Sequence, residues 1–346
     1  MPLLTELHKK CMDKELEIMI LSDIILGFVL ISQICVGFIG NSLLFGFYVY
    51  LYFIQSHLRK PIDLIFMHLT LVNVVAITFM LTPDIMSSFG VRNALNDVGC
   101  KAVLYINRVT RGVSLCVTSF LSTVQALTIS PRNSKWAWIK SKLSMCIFPS
   151  LLFFWILNML IYIHVIQVVT ARSNFTLVGH GYSQVYCQTK QFGLKCSGSY
   201  LSIIVTRDLL FVVLMICTSL YMVSVLHRHH RTARHLHSPS LSKQPSPESK
   251  ATCSILVLVS CFVLLFCLSN FITLYTFYTP RKNPKLDAIT VILSSCYPII
   301  AISQRALNGH SDTPHFVLEQ KSPHNDLYEG KKNHVAIENL KWGRLN

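Results

Sequence analysis

Charged side chains are scarce in this chain of 346 residues. Asp, Glu, Lys and Arg make up 14% of the sequence, hydrophobic residues make up 52%, and the mean hydropathy is +0.48. This composition is far too apolar for a soluble domain, which typically carries about 25% charged residues. Long apolar runs recur with short polar gaps between them, so the sequence indicates one bundle in a lipid bilayer and not two soluble domains.

Catalytic and cofactor-binding patterns are also missing. The sequence contains no His-Glu-x-x-His helix, no phosphate-binding glycine loop, no Gly-x-Ser-x-Gly elbow and no dinucleotide fingerprint. Its twelve cysteines include no CxxC pair, and most lie in apolar runs, where a free thiol behaves as a small hydrophobic group. We therefore expect neither enzymatic activity nor a bound cofactor or metal ion.

Seven apolar runs are long enough to cross the bilayer. Crossing a hydrocarbon core of about 30 Å takes roughly 20 helical residues, and these runs are much longer than the ten-residue strands of a barrel. No cleavable signal sequence precedes the first run, which we expect to direct insertion itself. The fold class predicted is an all-α membrane protein, a seven-transmembrane helix bundle. The predicted spans are Ile24–Ile54, Ile62–Leu81, Cys100–Ile129, Leu143–Val169, Tyr200–Leu226, Ala251–Tyr278 and Leu286–Ser303.

The distribution of positive charge predicts the orientation. The formal charge is +15, and the basic residues cluster at span ends, which indicates membrane topology and not nucleic-acid binding. Lys and Arg are more frequent in the connections after spans 1, 3 and 5 and in the tail, so that side is predicted to be cytoplasmic. The domains expected are an extracellular amino terminus (1–23), the helix bundle (24–303) and a polar cytoplasmic tail (304–346).

Two loops carry further signals. Asn174 begins the only Asn-x-Ser/Thr acceptor, and it lies after span 4 on the predicted outer side, so we expect it to be glycosylated. Residues 227–249 form a basic, histidine-rich and Pro-Ser-rich stretch that is expected to be a mobile cytoplasmic loop. No Cys or carboxylate lies within its histidine cluster, which disfavours a metal site.

Cysteines on the predicted outer side suggest a disulfide. Cys100 begins span 3, and Cys187 and Cys196 lie in the loop after span 4, where the environment is oxidising. We favour a bond from Cys100 to Cys187; the alternatives are that Cys196 is the partner or that all three cysteines are free.

Ionisable residues inside spans mark a candidate site. Each costs about 2.5–3.5 kcal/mol near the bilayer centre, so such residues normally face the protein interior. Span 3 has Asn107, Arg108 and Arg111, and span 5 has Arg207 and Asp208 at similar depth. They predict either a ligand pocket in the outer half of the bundle or a buried ion pair of Asp208 with Arg108 or Arg111, and the two can coexist.

Several stretches resemble the vomeronasal type 1 receptor family. The most specific block starts at Gly99-Cys100-Lys101 and ends at Asn133-Ser134-Lys135-Trp136. Between these lie Asn107-Arg108-Val109, Arg111-Gly112-Val113-Ser114 and Gln125-Ala126-Leu127-Thr128-Ile129-Ser130-Pro131. Further matching stretches are Gly40-Asn41-Ser42, Leu58-Arg59-Lys60-Pro61, Tyr186-Cys187, Ser246-Pro247-Glu248 and Ser295-Cys296-Tyr297-Pro298.

The resemblance implies a G-protein-coupled chemosensory receptor in the plasma membrane. It would bind small chemosignals and couple to a heterotrimeric G protein of the inhibitory class. Basic residues near the inner span ends are the candidate G-protein face, although positive-inside topology alone also explains them. These residues are Arg59, Lys60, Arg132, Lys135, His229, His230 and Arg231.

The chain departs from the family pattern after Pro298. Family members continue with a Ser-Pro-Phe-Val-Leu-like run, whereas this chain reads Ile299-Ile300-Ala301-Ile302-Ser303-Gln304-Arg305 and then becomes polar. Span 7 is therefore expected to be short, and its ending to be altered. A receptor remnant that does not signal is one alternative function. A small-solute transporter or channel is another, although the two halves show no repeat of broken spans.

Overall fold

Within the part of the chain that the structure describes, the fold consists of seven α-helices and one small two-stranded sheet. The computed structural model describes residues 2–55, 61–91, 95–131, 137–171, 187–189, 194–236, 247–278 and 284–309. The chain divides into two compact units, Met1–Ser303 and Gln304–Asn346. In chain order the elements are α1 (Pro2–Phe53), α2 (Pro61–Ser88), α3 (Asp97–Ile129), α4 (Ala137–Val168), β1 (Val169–Ala171), β2 (Cys187–Thr189), α5 (Leu194–Leu236), α6 (Pro247–Tyr278) and α7 (Pro284–Gly309).

Six of these helices are long and apolar enough to cross a membrane. Among the described residues these stretches lie at Ile20–Phe53, Pro61–Ser88, Asp97–Ile129, Lys142–Val168, Ser202–Arg228 and Ile255–Tyr275. The apolar part of α7 is shorter and covers Ala288–Ile299. The prediction of a helical membrane bundle is confirmed, whereas a seventh crossing stays a prediction.

Helix α3 lies at the centre of the bundle. It packs against α2, α4, α5 and α6, and every residue from Gly112 to Ser119 is buried. A helix that is buried all round must be surrounded by other elements, which accounts for its mixture of apolar and small polar residues. The side chain of Asn96 caps its first turn by accepting a hydrogen bond from the Gly99 N–H at 2.8 Å.

Two helices extend furthest beyond the spans that the sequence predicted. Helix α1 begins at Pro2, so most of the expected amino-terminal segment 1–23 is helical. Helix α5 continues to Leu236 and takes in the first ten residues of the expected loop 227–249. Charged residues interrupt the apolar residues of the first extension, and the second extension is mostly polar, so neither continues an apolar run of its span.

The sequence also did not predict a sheet. Strands β1 and β2 pair antiparallel, with Val169 opposite Thr189 and Ala171 opposite Cys187. Strand β1 follows α4 directly and packs against α3. The pairing therefore brings part of the segment between α4 and α5 to the first turn of α3.

Candidate functional site

A disulfide fixes this loop segment to α3. Cys100 and Cys187 are bonded, their Cα atoms lie 5.6 Å apart, and both residues are buried. The preferred pairing is confirmed, and Cys196 is excluded as the partner of Cys100. We refer to this end of the bundle as the disulfide end.

A cavity opens between α2, α3, α6 and α7. Its empty volume, including the space that is open to solvent, is about 520 Å³. Asn107 and Arg111 of α3 line it, whereas Arg108, Arg207 and Asp208 are not part of its described lining. Arg111 is eleven residues from Cys100 along α3, so it lies about 17 Å from the disulfide end at helical rise. The cavity thus takes in two of the five polar residues that the sequence singled out.

Arg111 connects three helices around this cavity. Its Nη1 donates a hydrogen bond to Ser294 Oγ of α7 at 3.2 Å, and its Nη2 donates to Ser269 Oγ and Asn270 Oδ1 of α6 at 3.3 and 3.1 Å. The guanidinium also lies over the ring of Phe266, with Cζ 5.2 Å from the ring centroid. A single side chain of α3 therefore holds both α6 and α7.

Aromatic rings form the deeper wall of the cavity. The rings of Phe262 and Tyr297, both in the lining, meet edge to face at a centroid distance of 4.2 Å. The hydroxyl of Tyr297 forms a 2.8 Å hydrogen bond with Thr118 Oγ1 of α3. The position of α7 at this depth is thus coupled to α3 and α6.

Arg207 forms a second polar cluster, between α4 and α5. This arginine is buried, and its Nη1 donates to Asn158 Oδ1 at 2.5 Å while its Nη2 donates to Tyr162 OH at 2.9 Å. Its Nε donates to Asp208 Oδ1 at 2.9 Å, and the Nη2 of Arg207 forms a short ion pair with the same oxygen. The guanidinium is therefore held by one carboxylate and two neutral side chains of α4.

The ion pair observed differs from the one that the sequence predicted. Asp208 pairs with its chain neighbour Arg207 instead of with Arg108 or Arg111 of α3. Arg108 and Arg111 still lie within electrostatic range of Asp208. The physical reason is geometric: the long Arg207 side chain folds back onto Asp208 while the rest of its planar fork reaches α4.

Gly112 makes room for this cluster. A Cβ atom at position 112 would collide with Asn158 Oδ1 and come within 2.9 Å of Arg207 Nη1. Because both neighbours are buried and hydrogen-bonded, neither can move away at low cost. A residue without a side chain is therefore required on α3 where Arg207 and Asn158 meet.

A buried network of amides joins α1, α2 and α7. Asn41 Nδ2 donates to the carbonyl oxygens of Gly37 and Pro298 at 2.8 and 3.2 Å, and Asn73 Nδ2 donates to Asn41 Oδ1 at 3.4 Å. Nearby, Ser295 Oγ donates to Gln33 Oε1 at 2.8 Å. The carbonyl oxygen of Pro298 in α7 is thus bonded directly to α1.

The far end of α3 is held to three neighbouring helices. Gln125 Nε2 donates to Thr252 Oγ1 of α6 at 3.3 Å, and the hydroxyls of Ser130 and Tyr221 of α5 lie 2.9 Å apart. Lys140 Nζ of α4 donates to the carbonyl oxygen of Thr128 at 2.7 Å, which satisfies one of the last carbonyls of α3. These bonds close the bundle at the end opposite the disulfide.

The predicted G-protein face lies mostly outside the described residues. This applies to Arg59, Lys60, Arg132 and Lys135. The backbones of His229, His230 and Arg231 belong to the last part of α5. The role of these residues stays a prediction.

Asn174 also lies outside the described residues, and its glycosylation stays a prediction. Replacing Asn174 with Gln is expected to remove a glycosidase-sensitive increase in apparent mass, because this is the only acceptor sequence in the chain. Gel mobility of the protein from a glycosylating cell line, with and without glycosidase, measures the effect. Equal mobility of the two proteins would contradict the outer placement of this loop.

Several residues of both clusters were not predicted from the sequence. The prediction rested mainly on ionisable side chains, which leaves out Asn158 and Tyr162 on α4 and Asn73, Ser269 and Asn270 around the cavity. The useful signal was present, because an amide within an apolar run also needs a buried partner. Asn158 and Tyr162 are four residues apart and share a helix face, which is how both reach Arg207.

These observations define a multi-pass helical membrane protein with a disulfide-anchored loop and a buried polar cavity. Comparison with known proteins then gives the family. The model of the vomeronasal organ pheromone receptor family matches residues 24–303. The chain belongs to this family, which is a family of receptors and not of enzymes, and it is a multi-pass protein of the plasma membrane.

Known members of the family resemble the chain over most of its length. Human vomeronasal type-1 receptor 3 is 34% identical over 280 residues, which covers 81% of this chain and 89% of the relative. Human vomeronasal type-1 receptor 4 is 35% identical over 272 residues, covering 79% of this chain and 90% of the relative. Mouse vomeronasal type-1 receptor 45 is 36% identical over 236 residues, covering 68% and 73% respectively. The family suggests a pheromone receptor of the G-protein-coupled type.

Proposed function

We propose that a small chemosignal binds in the cavity between α2, α3, α6 and α7, and that the bound receptor activates a heterotrimeric G protein of the inhibitory class. In this proposal the chain crosses the membrane seven times, with the disulfide end outside and the tail inside. The single observation that carries the proposal is the position of Arg111. It lines the cavity and also hydrogen-bonds α6 and α7, so an occupant of the cavity touches the side chain that links three helices.

The mechanism follows from differential binding. A ligand shifts a conformational equilibrium only if it interacts differently with the two states. A ligand group that accepts a hydrogen bond from Arg111 competes with Ser269, Asn270 and Ser294 for the same N–H donors. Occupancy therefore weakens the attachment of α6 and α7 to α3. The inner ends of these helices then separate from α3 and admit the G protein.

The seventh crossing is proposed despite the short apolar part of α7. Residues Ala288–Ile299 span about 18 Å of helix, less than the hydrocarbon core of about 30 Å. Bilayer thinning and tilted or snorkelling flanking side chains accommodate such a mismatch at a fraction of a kcal/mol per Å. The hydrogen bonds of α7 to Gln33, Asn41 and Thr118 hold it in the bundle.

Replacing Arg111 with methionine is expected to reduce ligand potency at least about tenfold, because a ligand acceptor then loses a charged hydrogen-bond donor. The bundle is expected to fold, since Ser269 Oγ and Ser294 Oγ are 2.7 Å apart and remain bonded to each other without the arginine. Nucleotide exchange on an added inhibitory G protein, with the receptor in liposomes and a panel of small volatile compounds, measures potency.

The matched control is Lys101→Met, a cation on the same helix outside the described cavity lining. Its dose response should match that of the unmodified receptor. An unchanged dose response of Arg111→Met at equal receptor amount would show that the ligand does not bind in this cavity. Solute flux through the liposomes without any nucleotide exchange would instead favour a transporter.

A further inference from the structure

The α2 and α3 side of the cavity carries two buried polar atoms with unmet hydrogen-bonding capacity. Asn73 is 1% exposed and Ser114 is 6% exposed, and both line the cavity. Among the residues that the structure describes, neither Asn73 Oδ1 nor Ser114 Oγ has a hydrogen-bond partner. Buried polar side-chain atoms are nearly always hydrogen-bonded, so this pair indicates that the occupant of the cavity supplies the missing bonds.

The chemistry of the two atoms restricts that occupant. An amide oxygen can only accept a hydrogen bond, so Asn73 Oδ1 requires a donor, whereas the hydroxyl of Ser114 can donate or accept. The orientation of the Asn73 amide is defined by its Nδ2, which donates to Asn41 Oδ1. The occupant must therefore bring at least one N–H or O–H group to this side.

The other walls of the cavity select among donors. Arg111 lines the same space, so its positive charge disfavours a protonated amine. An anion could approach Arg111, but an ionised carboxylate or sulfate has no hydrogen to give to Asn73. Phe262, Leu265, Phe266 and Leu293 complete an apolar surface suited to a hydrocarbon body.

We propose that the cavity selects neutral, apolar ligands that carry a hydroxyl group, and that this hydroxyl donates a hydrogen bond to Asn73 Oδ1 or Ser114 Oγ. The inference rests on the proposed function, whose ligand class it names. Water can also serve the two atoms. A hydroxyl reproduces the hydrogen bonds of a displaced water, whereas an alkyl or ether group in the same place leaves an acceptor unsatisfied.

The experiment compares probes with equal numbers of heavy atoms. Octanol offers a hydrogen-bond donor, heptyl methyl ether offers only an acceptor, and nonane offers only apolar contacts. Octylamine adds a positive charge. A homologous series of alcohols and ethers tests other chain lengths. Nucleotide exchange on the inhibitory G protein and the ligand-dependent rise in melting temperature of the purified receptor are both measured. The best alcohol is expected to be at least about tenfold more potent than its matched ether, and the amine to be inactive.

Two variants connect this preference to the named atoms. Replacing whichever atom accepts the hydroxyl proton, by Asn73→Ala or Ser114→Ala, should reduce the alcohol-to-ether potency ratio to about one and leave the potency of nonane unchanged. Ser114→Ala should fold, because it only removes a buried hydroxyl that has no partner among the described residues. The control is Ser122→Ala, a buried α3 serine outside the described lining whose hydroxyl bonds to Thr218. It should keep the full preference for alcohols.

Different results would contradict the hydroxyl inference and the proposed function. Equal potency of alcohols and ethers, or active compounds that all lack a hydrogen-bond donor, would overturn the hydroxyl inference and leave the receptor function standing. A preference for alcohols that survives both Asn73→Ala and Ser114→Ala would also overturn it. Absence of exchange and of a melting shift with every compound class would reject the proposed function itself.

Discussion

Replacing Arg207 with methionine is expected to remove most of the receptor from the cell surface. The substitution keeps a long apolar stem but leaves the partly buried carboxylate of Asp208 without its ion-pair partner, and it leaves Asn158 Oδ1 and Tyr162 OH without their donor. Breaking a buried ion pair from one side typically costs about 3–5 kcal/mol. Surface labelling relative to total protein, and the melting temperature in detergent, measure the loss.

Two further variants separate charge from shape. Arg207→Met with Asp208→Asn should recover part of the surface amount, because no uncompensated charge remains. Arg207→Lys should be intermediate, because an ammonium group cannot reproduce the planar fork that reaches three side chains at once. Arg228→Met, an exposed position on the same helix, is the control and should behave as the unmodified receptor. A double variant as poor as the single one would contradict the ion-pair explanation.

Removal of the disulfide is the second large effect expected. Cys100→Ala and Cys187→Ala should each strongly reduce surface amount, because native disulfides contribute typically about 2–5 kcal/mol and this bond closes a separation of 87 residues. The double variant should be no worse than either single variant, since the same bond is lost once. Flow cytometry of an amino-terminal tag measures the surface fraction.

The control for the disulfide is Cys217→Ala, which removes an exposed free thiol on α5 and should have little effect. Losses that add in the double variant would show that the two cysteines act separately. Normal surface amount of Cys187→Ala together with a large loss for Cys196→Ala would assign the bond to Cys196 and contradict the structure.

The sequence predicted the parts of the fold that lipid dictates. Long apolar runs must be helical in a bilayer, because each backbone amide needs a partner within its own segment, and six of the seven runs are confirmed. The helical start of α1 was missed because residues 2–23 mix charged and apolar side chains and so do not extend the apolar run of span 1. Their abundance of Leu, Lys, Glu and Met, which are good helix formers, was the available signal.

The candidate site was predicted only in part, because the sequence does not show which side chains contact each other inside the bundle. The free-energy cost of a charged side chain in lipid predicts that Arg111 and Arg207 face the protein interior, but it does not predict the partner of either residue. Adjacent residues of a helix point in different directions, so the contact of Arg207 with Asp208 cannot be read from their spacing. The partners Asn158 and Ser294 come from helices whose rotation is set by packing, which a single sequence does not record.

The hydrogen bonds around α3 are distributed unequally among its neighbouring helices. The buried guanidinium of Arg207 joins α5 to α4, and the hydroxyl pairs Ser122–Thr218 and Ser130–Tyr221 join α5 to α3. Against α6, the far end of α3 has the 3.3 Å bond of Gln125 to Thr252, a neutral contact of about 1 kcal/mol. The described bonds thus attach α3 to α5, and α5 to α4, at more points than they attach this end of α3 to α6, and we expect a separation of helices at this end to begin between α3 and the part of α6 next to Thr252.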